Sequence, residues 1–221
     1  EKKENSSQDT KYEINNFIIN KYPDSICTNY IKRHLKKYDY KTLFKIINEK
    51  IKENDVEKED AVLHIRTGDI LDHPFYENSK KLIDNKLDNN DPSDETIKFK
   101  KIKVKYNNKV FDRVENPNIY LKSLMYYKKI IDKLHEININ NILIISGSHI
   151  KCKNYKLSSY VINKIKNLFE KNNIKVKLEL GNHPDIDLIK VINSKNFIPS
   201  KGGYSDLLSD LAKIKKVNIL K

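Results

Sequence analysis

A chain of 221 residues and 26.1 kDa has room for one medium domain with a small appendage, but not for two full nucleotide-binding lobes. With 38% hydrophobic residues, 13 Tyr and 7 Phe it can build a core, and five glycines with six prolines exclude collagen-like or low-complexity architecture. The net charge of +13 is carried by 40 lysines and only three arginines, spread along the chain beside 31 Ile and 27 Asn, which fits biased codon usage and solvated faces better than a nucleic-acid footprint.

Residues 1–12 are polar. From Tyr12 to Lys52, apolar side chains recur at three- and four-residue steps (Ile14, Phe17, Ile18, then Ile31, Leu35, then Leu43, Phe44, Ile47, Ile51). That spacing predicts helices, with Pro23-Asp24 separating the first from the next. The charged run over 53–60 marks a boundary. It divides a helical N-terminal segment, 1–58, from a main domain, 59–221.

Ala61-Val62-Leu63-His64-Ile65 is a short apolar run that reads as a buried strand. Residues 72–116 form a long insertion, with alternation at Ile102, Val104, Tyr106 and Val110 that suits a hairpin. Asn116-Pro117 predicts a helix start, and Tyr120, Leu124, Tyr127, Ile131 and Leu134 mark one face to about Glu136. Further along, the pattern predicts a strand over 141–147 that ends in small residues, a helix over 157–171 and a strand over 174–178. A helix over 185–193, a strand at Phe197-Ile198 and a helix over 203–213 complete the series. This alternation defines an α/β fold, a Rossmann-like parallel sheet with flanking helices. Ligands in such sheets sit beyond the carboxyl ends of the strands.

No stretch approaches eighteen apolar residues, so none is long enough to span a membrane as a helix. Glu1 rather than Met at the start is compatible with a trimmed upstream anchor. Cys27 and Cys152 lack C-x-x-C spacing, and their scarcity leans toward a reducing, cytoplasmic compartment.

Three loops at strand ends carry candidate chemistry. In His64-Ile65-Arg66-Thr67-Gly68-Asp69, strand alternation puts His64 and Arg66 on one face. The guanidinium is a fixed fork of donors suited to phosphate. The plainer reading is an Arg66–Asp69 ion pair that ties down the strand end. In Pro199-Ser200-Lys201-Gly202-Gly203-Tyr204-Ser205-Asp206, two glycines permit close backbone approach, and Ser205 with the next helix's free N–H groups suits an anion. The spacing is not that of a P-loop. In Gly181-Asn182-His183-Pro184-Asp185-Ile186-Asp187, the two aspartates either cap a helix or form a D-x-D that meets a metal–nucleotide pair. Ser146-Gly147-Ser148-His149 completes the edge of the cleft.

His-x-Arg-x-Gly-Asp at the end of a buried strand resembles the signature of the α1,2-, α1,6- and protein-O-fucosyltransferase superfamily. Tyr126-Tyr127 in the helix before the second strand is similar to the "YY" helix of the α1,2 group. The run from Asp187 through Phe197-Ile198-Pro199-Ser200 to Gly203-Tyr204-Ser205 resembles that group's final segment. Together these cover residues 61–213.

The resemblance implies a GT-B-type donor domain and an inverting, metal-independent glycosyltransferase. It would move fucose, or another deoxyhexose, from a GDP-sugar to a glycan or protein hydroxyl, with no cofactor. It implies Arg66, His64 and Asp69 as the catalytic set. Arg66, Asp185, Asp187, Ser200, Gly202, Gly203, Tyr204 and Ser205 would bind the donor. Three departures stand out: no glycine-rich N-terminal start, an N-terminal segment too short for the usual first lobe, and Ser146-Gly147-Ser148 where acidic residues are common. Asp69, Asp72 and His73 are the candidate bases. Two other classes stay open, a non-catalytic nucleotide-sugar or glycan-binding module and a basic nucleic-acid-associated protein.

Overall fold

The structure, a computed structural model, describes residues 47–49, 51–53, 56–72, 80–88, 101–106, 109–114, 120–147 and 154–221. The expected helices before residue 47 lie outside the described residues. Residues 47–49 and 51–53 are helical, as the spacing predicts.

Five strands make the main sheet: β1 (Ala61–His64), β4 (Asn141–Ser146), β5 (Lys175–Leu180), β6 (Asn196–Ile198) and β7 (Asn218–Ile219). Their order is β5-β4-β1-β6-β7, and every pairing is parallel. The chain therefore steps outward from β1 to β5, then crosses back to build β6 and β7 on the other side of β1. Strands β1 and β4 read as unbroken apolar runs because helices cover both of their faces.

Alternation along each strand divides the core in two. On one side Leu63, Ile65, Ile142 and Ile144 pack against α3 (Leu124–Glu136) and α4 (Lys156–Lys171) through Tyr127, Ile130, Leu134, Val161, Ile165 and Phe169. On the other, Val62, Leu143, Ile145 and Phe197 meet α5 (Pro184–Asn193) and α6 (Gly203–Ile214), with Leu188, Ile189, Leu208 and Leu211 as the contacts. Ile47, from the helical segment before the main domain, is buried in this second cluster. Tyr127 anchors the first, edge-on to Tyr126 at 5.3 Å and to Phe169 at 6.2 Å.

Between β1 and α3 the chain forms α1 (Asp69–Asp72), α2 (Lys80–Leu87) and a separate antiparallel hairpin of β2 (Lys101–Tyr106) and β3 (Lys109–Val114). The hairpin agrees with the alternation in the insertion. Helix α2 does not follow from it, although Ile83 and Leu87 recur at helical spacing and are fully buried. Helix α3 starts at Leu124, because the Ser123 hydroxyl accepts the Tyr126 N–H at 3.2 Å and caps it there. Tyr120 stands ahead of the helix, and Asn116-Pro117 lies outside the described residues. Strand β7 was not foreseen; two residues are too few to show a period. Among the described residues no helix is long and apolar enough to cross a membrane.

Candidate functional site

The direction of the crossovers reverses between β1 and β6, which lie side by side, so the loops leaving their carboxyl ends part toward opposite faces. A crevice at such a switch point is where open α/β sheets hold ligands. His64 ends β1 and is 4% exposed; its Nδ1 lies 2.9 Å from the Ser200 hydroxyl, two residues past β6. The Tyr204 ring meets the imidazole edge-on at 5.4 Å, and its phenol donates to the Pro184 carbonyl, at the first residue of α5, at 2.5 Å. One relay of side chains thus joins the ends of β1 and β6 to the helix that carries Asp185 and Asp187. Sequence reasoning selected all of these residues separately, and the structure brings them together.

Arg66 is partly buried in the loop beyond β1. Strand β1 ends at His64, the Ile65 N–H still donates to the Ile145 carbonyl at 3.0 Å, and Arg66 stands just past the end of that ladder. The backbone around Arg66 is held on both sides. Ser146, at the end of β4, donates its hydroxyl to the Ile65 carbonyl at 2.6 Å and lies 2.7 Å from the Thr67 hydroxyl. Gly68, at φ 73°, donates its N–H to the Ser158 hydroxyl at 2.8 Å. Ser158 in turn donates to Asp72.

Asp72, one of the candidate bases, also accepts the N–H groups of Leu157 and Ser158 at 2.8 and 2.9 Å. It caps α4, whose own N-cap residue Tyr155 makes no side-chain capping bond. Burial pushes its carboxyl up, while the hydroxyl and N–H bonds pull it back. Asp69 is the first residue of α1. His73 lies outside the described residues.

At the other side of the crevice, Gly202 is the N-cap of α6 and supplies no capping side chain. Three residues on, Ser205 is 1% exposed, and its hydroxyl has no hydrogen-bond partner. An orphan buried hydroxyl among the first-turn N–H groups of a helix forms an anion-receptive end. The Ser200–Gly202 turn is open to solvent through a cleft of about 530 Å³, also walled by Tyr126, Lys201 and Asp206. Gly202 has φ 98° and ψ 159°, a region open essentially to glycine alone. A Cβ there would also stand 3.4 Å from the Tyr120 ring. Gly202→Ala is expected to lower stability by about 1–3 kcal/mol in a denaturant titration. An unchanged midpoint would show that the turn relaxes freely.

Neither Asp185 nor Asp187 caps α5. That role falls to His183, whose Nδ1 accepts the Asp185 N–H at 3.2 Å. Both aspartates lie buried in the first turn, Asp185 with a carboxylate oxygen 3.7 Å from His183 Nδ1. Asp187 accepts from the Asn182 amide at 3.3 Å, and that amide also serves Glu179, itself paired with Lys190. Burial pushes the Asp187 carboxyl up to about 8, against the pull of the Asn182 bond, with Glu179 adding to the rise. Among the described residues no group of three or more His, Cys, Asp or Glu side chains could hold a metal ion. The contacts of Ser146, Ser158 and Asp72 join partners 79 to 90 residues apart, and no sequence pattern announces them.

No protein-family model matches the sequence, and no curated protein is significantly similar to it. Among solved structures, the fold is similar to POFUT1 (protein O-fucosyltransferase) in its apo form, at 9% identity and a TM-score of 0.36, over 80% of this chain and 45% of that one. POFUT1 in complex with GDP-fucose gives 10% identity and a TM-score of 0.36 over 80% and 43%. POFUT1 in complex with GDP gives 10% and 0.33 over 80% and 44%. The chain spans less than half the length of these structures. Likeness this distant carries no chemistry, which has to come from the site.

Proposed function

We propose that the chain is the donor-binding part of a glycosyltransferase that takes a GDP-sugar, with fucose as the favoured sugar, and passes it to a glycan or protein hydroxyl with inversion and without a metal. The observation that supports this most is the meeting of His64, Ser200 and Tyr204 at the β1–β6 switch point, between the loop of Arg66 and the anion-receptive start of α6. A diphosphate in this crevice meets a guanidinium fork on one side and helix N–H groups with the Ser205 hydroxyl on the other. Ser200, Gly202, Gly203 and Tyr204 form the turn that approaches it.

In the transfer the acceptor oxygen attacks the anomeric carbon, the bond from that carbon to the phosphate oxygen breaks, and the nucleoside diphosphate leaves with the electron pair. Arg66 stabilises the charge that builds on the leaving group. His64 holds the Ser200 turn against the strand end. Asp72 is engaged by α4, so Asp69 is the carboxylate assigned to the acceptor proton. Asp185 and Asp187 face the nucleoside; burial favours the protonated form of the Asp187 carboxyl, which in that form both donates and accepts.

A thermal-shift titration with GDP, UDP, ADP and dTDP, each with and without Mg²⁺ or Mn²⁺, tests the reading. A ligand specific to the native state stabilises by about 2.7 kcal/mol at a hundredfold excess over its Kd. Stabilisation by GDP that ignores metal is expected. A metal-dependent shift with UDP alone overturns the reading and moves the chemistry to the D-x-D. GDP and GDP-fucose binding without transfer or hydrolysis would mark a non-catalytic module. Tight, salt-sensitive binding to random oligonucleotides with no nucleotide response would mark a nucleic-acid protein.

A further inference from the structure

We propose that Ser146, and Ser158 with Asp72 behind it, are positioning residues that clamp the backbone on both sides of Arg66; this rests on the reading of Arg66 as the diphosphate ligand.

A loop leaving a strand is normally among the more mobile parts of a domain. Here the residue before Arg66, the residue after it and the next one are each tied to a serine hydroxyl. Ile65 offers its carbonyl to Ser146, Thr67 its hydroxyl to the same oxygen, and Gly68 its N–H to Ser158. The directions are mutually consistent. The Ser146 O–H donates to Ile65, which leaves its lone pairs for Thr67. The Ser158 O–H donates to Asp72, which leaves its lone pairs for Gly68.

The series ends at Asp72, whose carboxylate sits on the first N–H groups of α4, where the helix dipole favours a negative charge. Both serines, and Thr67 with them, are fully buried, so no water competes for these bonds. Alanine would fill nearly the same space, and what it lacks is the direction the hydroxyl gives to the turn. A charged group that stabilises a leaving group acts best when its position is set in advance, because no reorganisation is then needed during the reaction. The clamp supplies that, with contacts drawn from β4 and α4 rather than from the loop itself.

The test compares Ser158→Ala, Ser158→Thr and Asp72→Asn with wild type in three readings: amide exchange at Gly68, affinity for GDP, and Tm. Ser158→Ala leaves the Gly68 N–H buried without an acceptor. It is expected to speed exchange at Gly68 roughly tenfold or more, as loss of one protecting hydrogen bond does. GDP affinity should fall by a similar factor, with exchange in β4 and β5 unchanged. Ser158→Thr keeps the hydroxyl and should restore both. If Ser158→Ala fails to fold, Asp72→Asn tests the same relay, since one carboxamide oxygen cannot replace both carboxylate oxygens. Unchanged exchange at Gly68, a freed Gly68 with GDP affinity intact, or loss spread evenly through the sheet would each overturn the proposal. A wild type that does not bind GDP overturns the transferase reading instead, and exchange at Gly68 then still decides whether the clamp exists.

Discussion

Arg66→Ala is expected to lower transfer from a GDP-sugar by about a hundredfold to a thousandfold, the loss typical of removing one preorganised donor to a developing charge. Stability should hardly change. Arg66 is only partly buried in a loop beyond β1, and the backbone of the turn around it is fastened through Ile65, Thr67 and Gly68. Arg66→Lys should fall between the two, because an ammonium keeps the charge but not the planar fork that meets two phosphate oxygens at once. The checks are kcat/KM with a GDP-sugar, the GDP Kd and a melting curve for each variant. An Arg66→Ala enzyme with full activity removes the basis of the transferase reading. A variant that melts far below wild type would place Arg66 among the residues that hold the strand end.

Asp187→Asn is expected to change how stability depends on pH. The folded carboxyl titrates near 8, against 3.8 when unperturbed, because burial disfavours its charge. Between these values the folded protein keeps a proton that the unfolded chain has released, so stability falls as pH rises. The slope approaches about 1.4 kcal/mol per pH unit for one fully coupled group, and relaxation of the buried site makes the true value smaller. Asparagine removes the titration and keeps an oxygen to accept from the Asn182 amide. The variant should therefore match wild type near pH 4 and exceed it increasingly toward pH 8, by several degrees in Tm. Denaturation at pH 4, 6 and 8 checks this. Parallel pH profiles for the two proteins would show that Asp187 is ionised in the fold.

How much of this was readable in the sequence follows from the range of the forces involved. The strands β1, β4 and β6 and the helices α3 to α6 could be recognised because burial imposes a period on neighbouring residues: unbroken where two faces are covered, three and four where one face is. The His64–Asp69 and Pro199–Ser205 turns stood out for the same local reason, since glycine and a rare arginine mark strand ends within a few residues. Helix α2 hid in a polar insertion, and β7 is too short to show a pattern. The Ser123 cap that starts α3 was not singled out in the sequence, because one serine ahead of an apolar run is a weak local signal.

The sequence by itself determined the α/β alternation, the parallel sheet and the loops from which a site would be built, because each is written in the spacing of adjacent side chains. Only the tertiary structure decided that His64 meets Ser200 and Tyr204, that Ser205 is left without a partner, and that Asp72 caps α4. Those outcomes rest on hydrogen bonds and desolvation between residues as many as 136 positions apart. Such contacts depend on where the crossovers bring the chain back, and nothing in a local window encodes that.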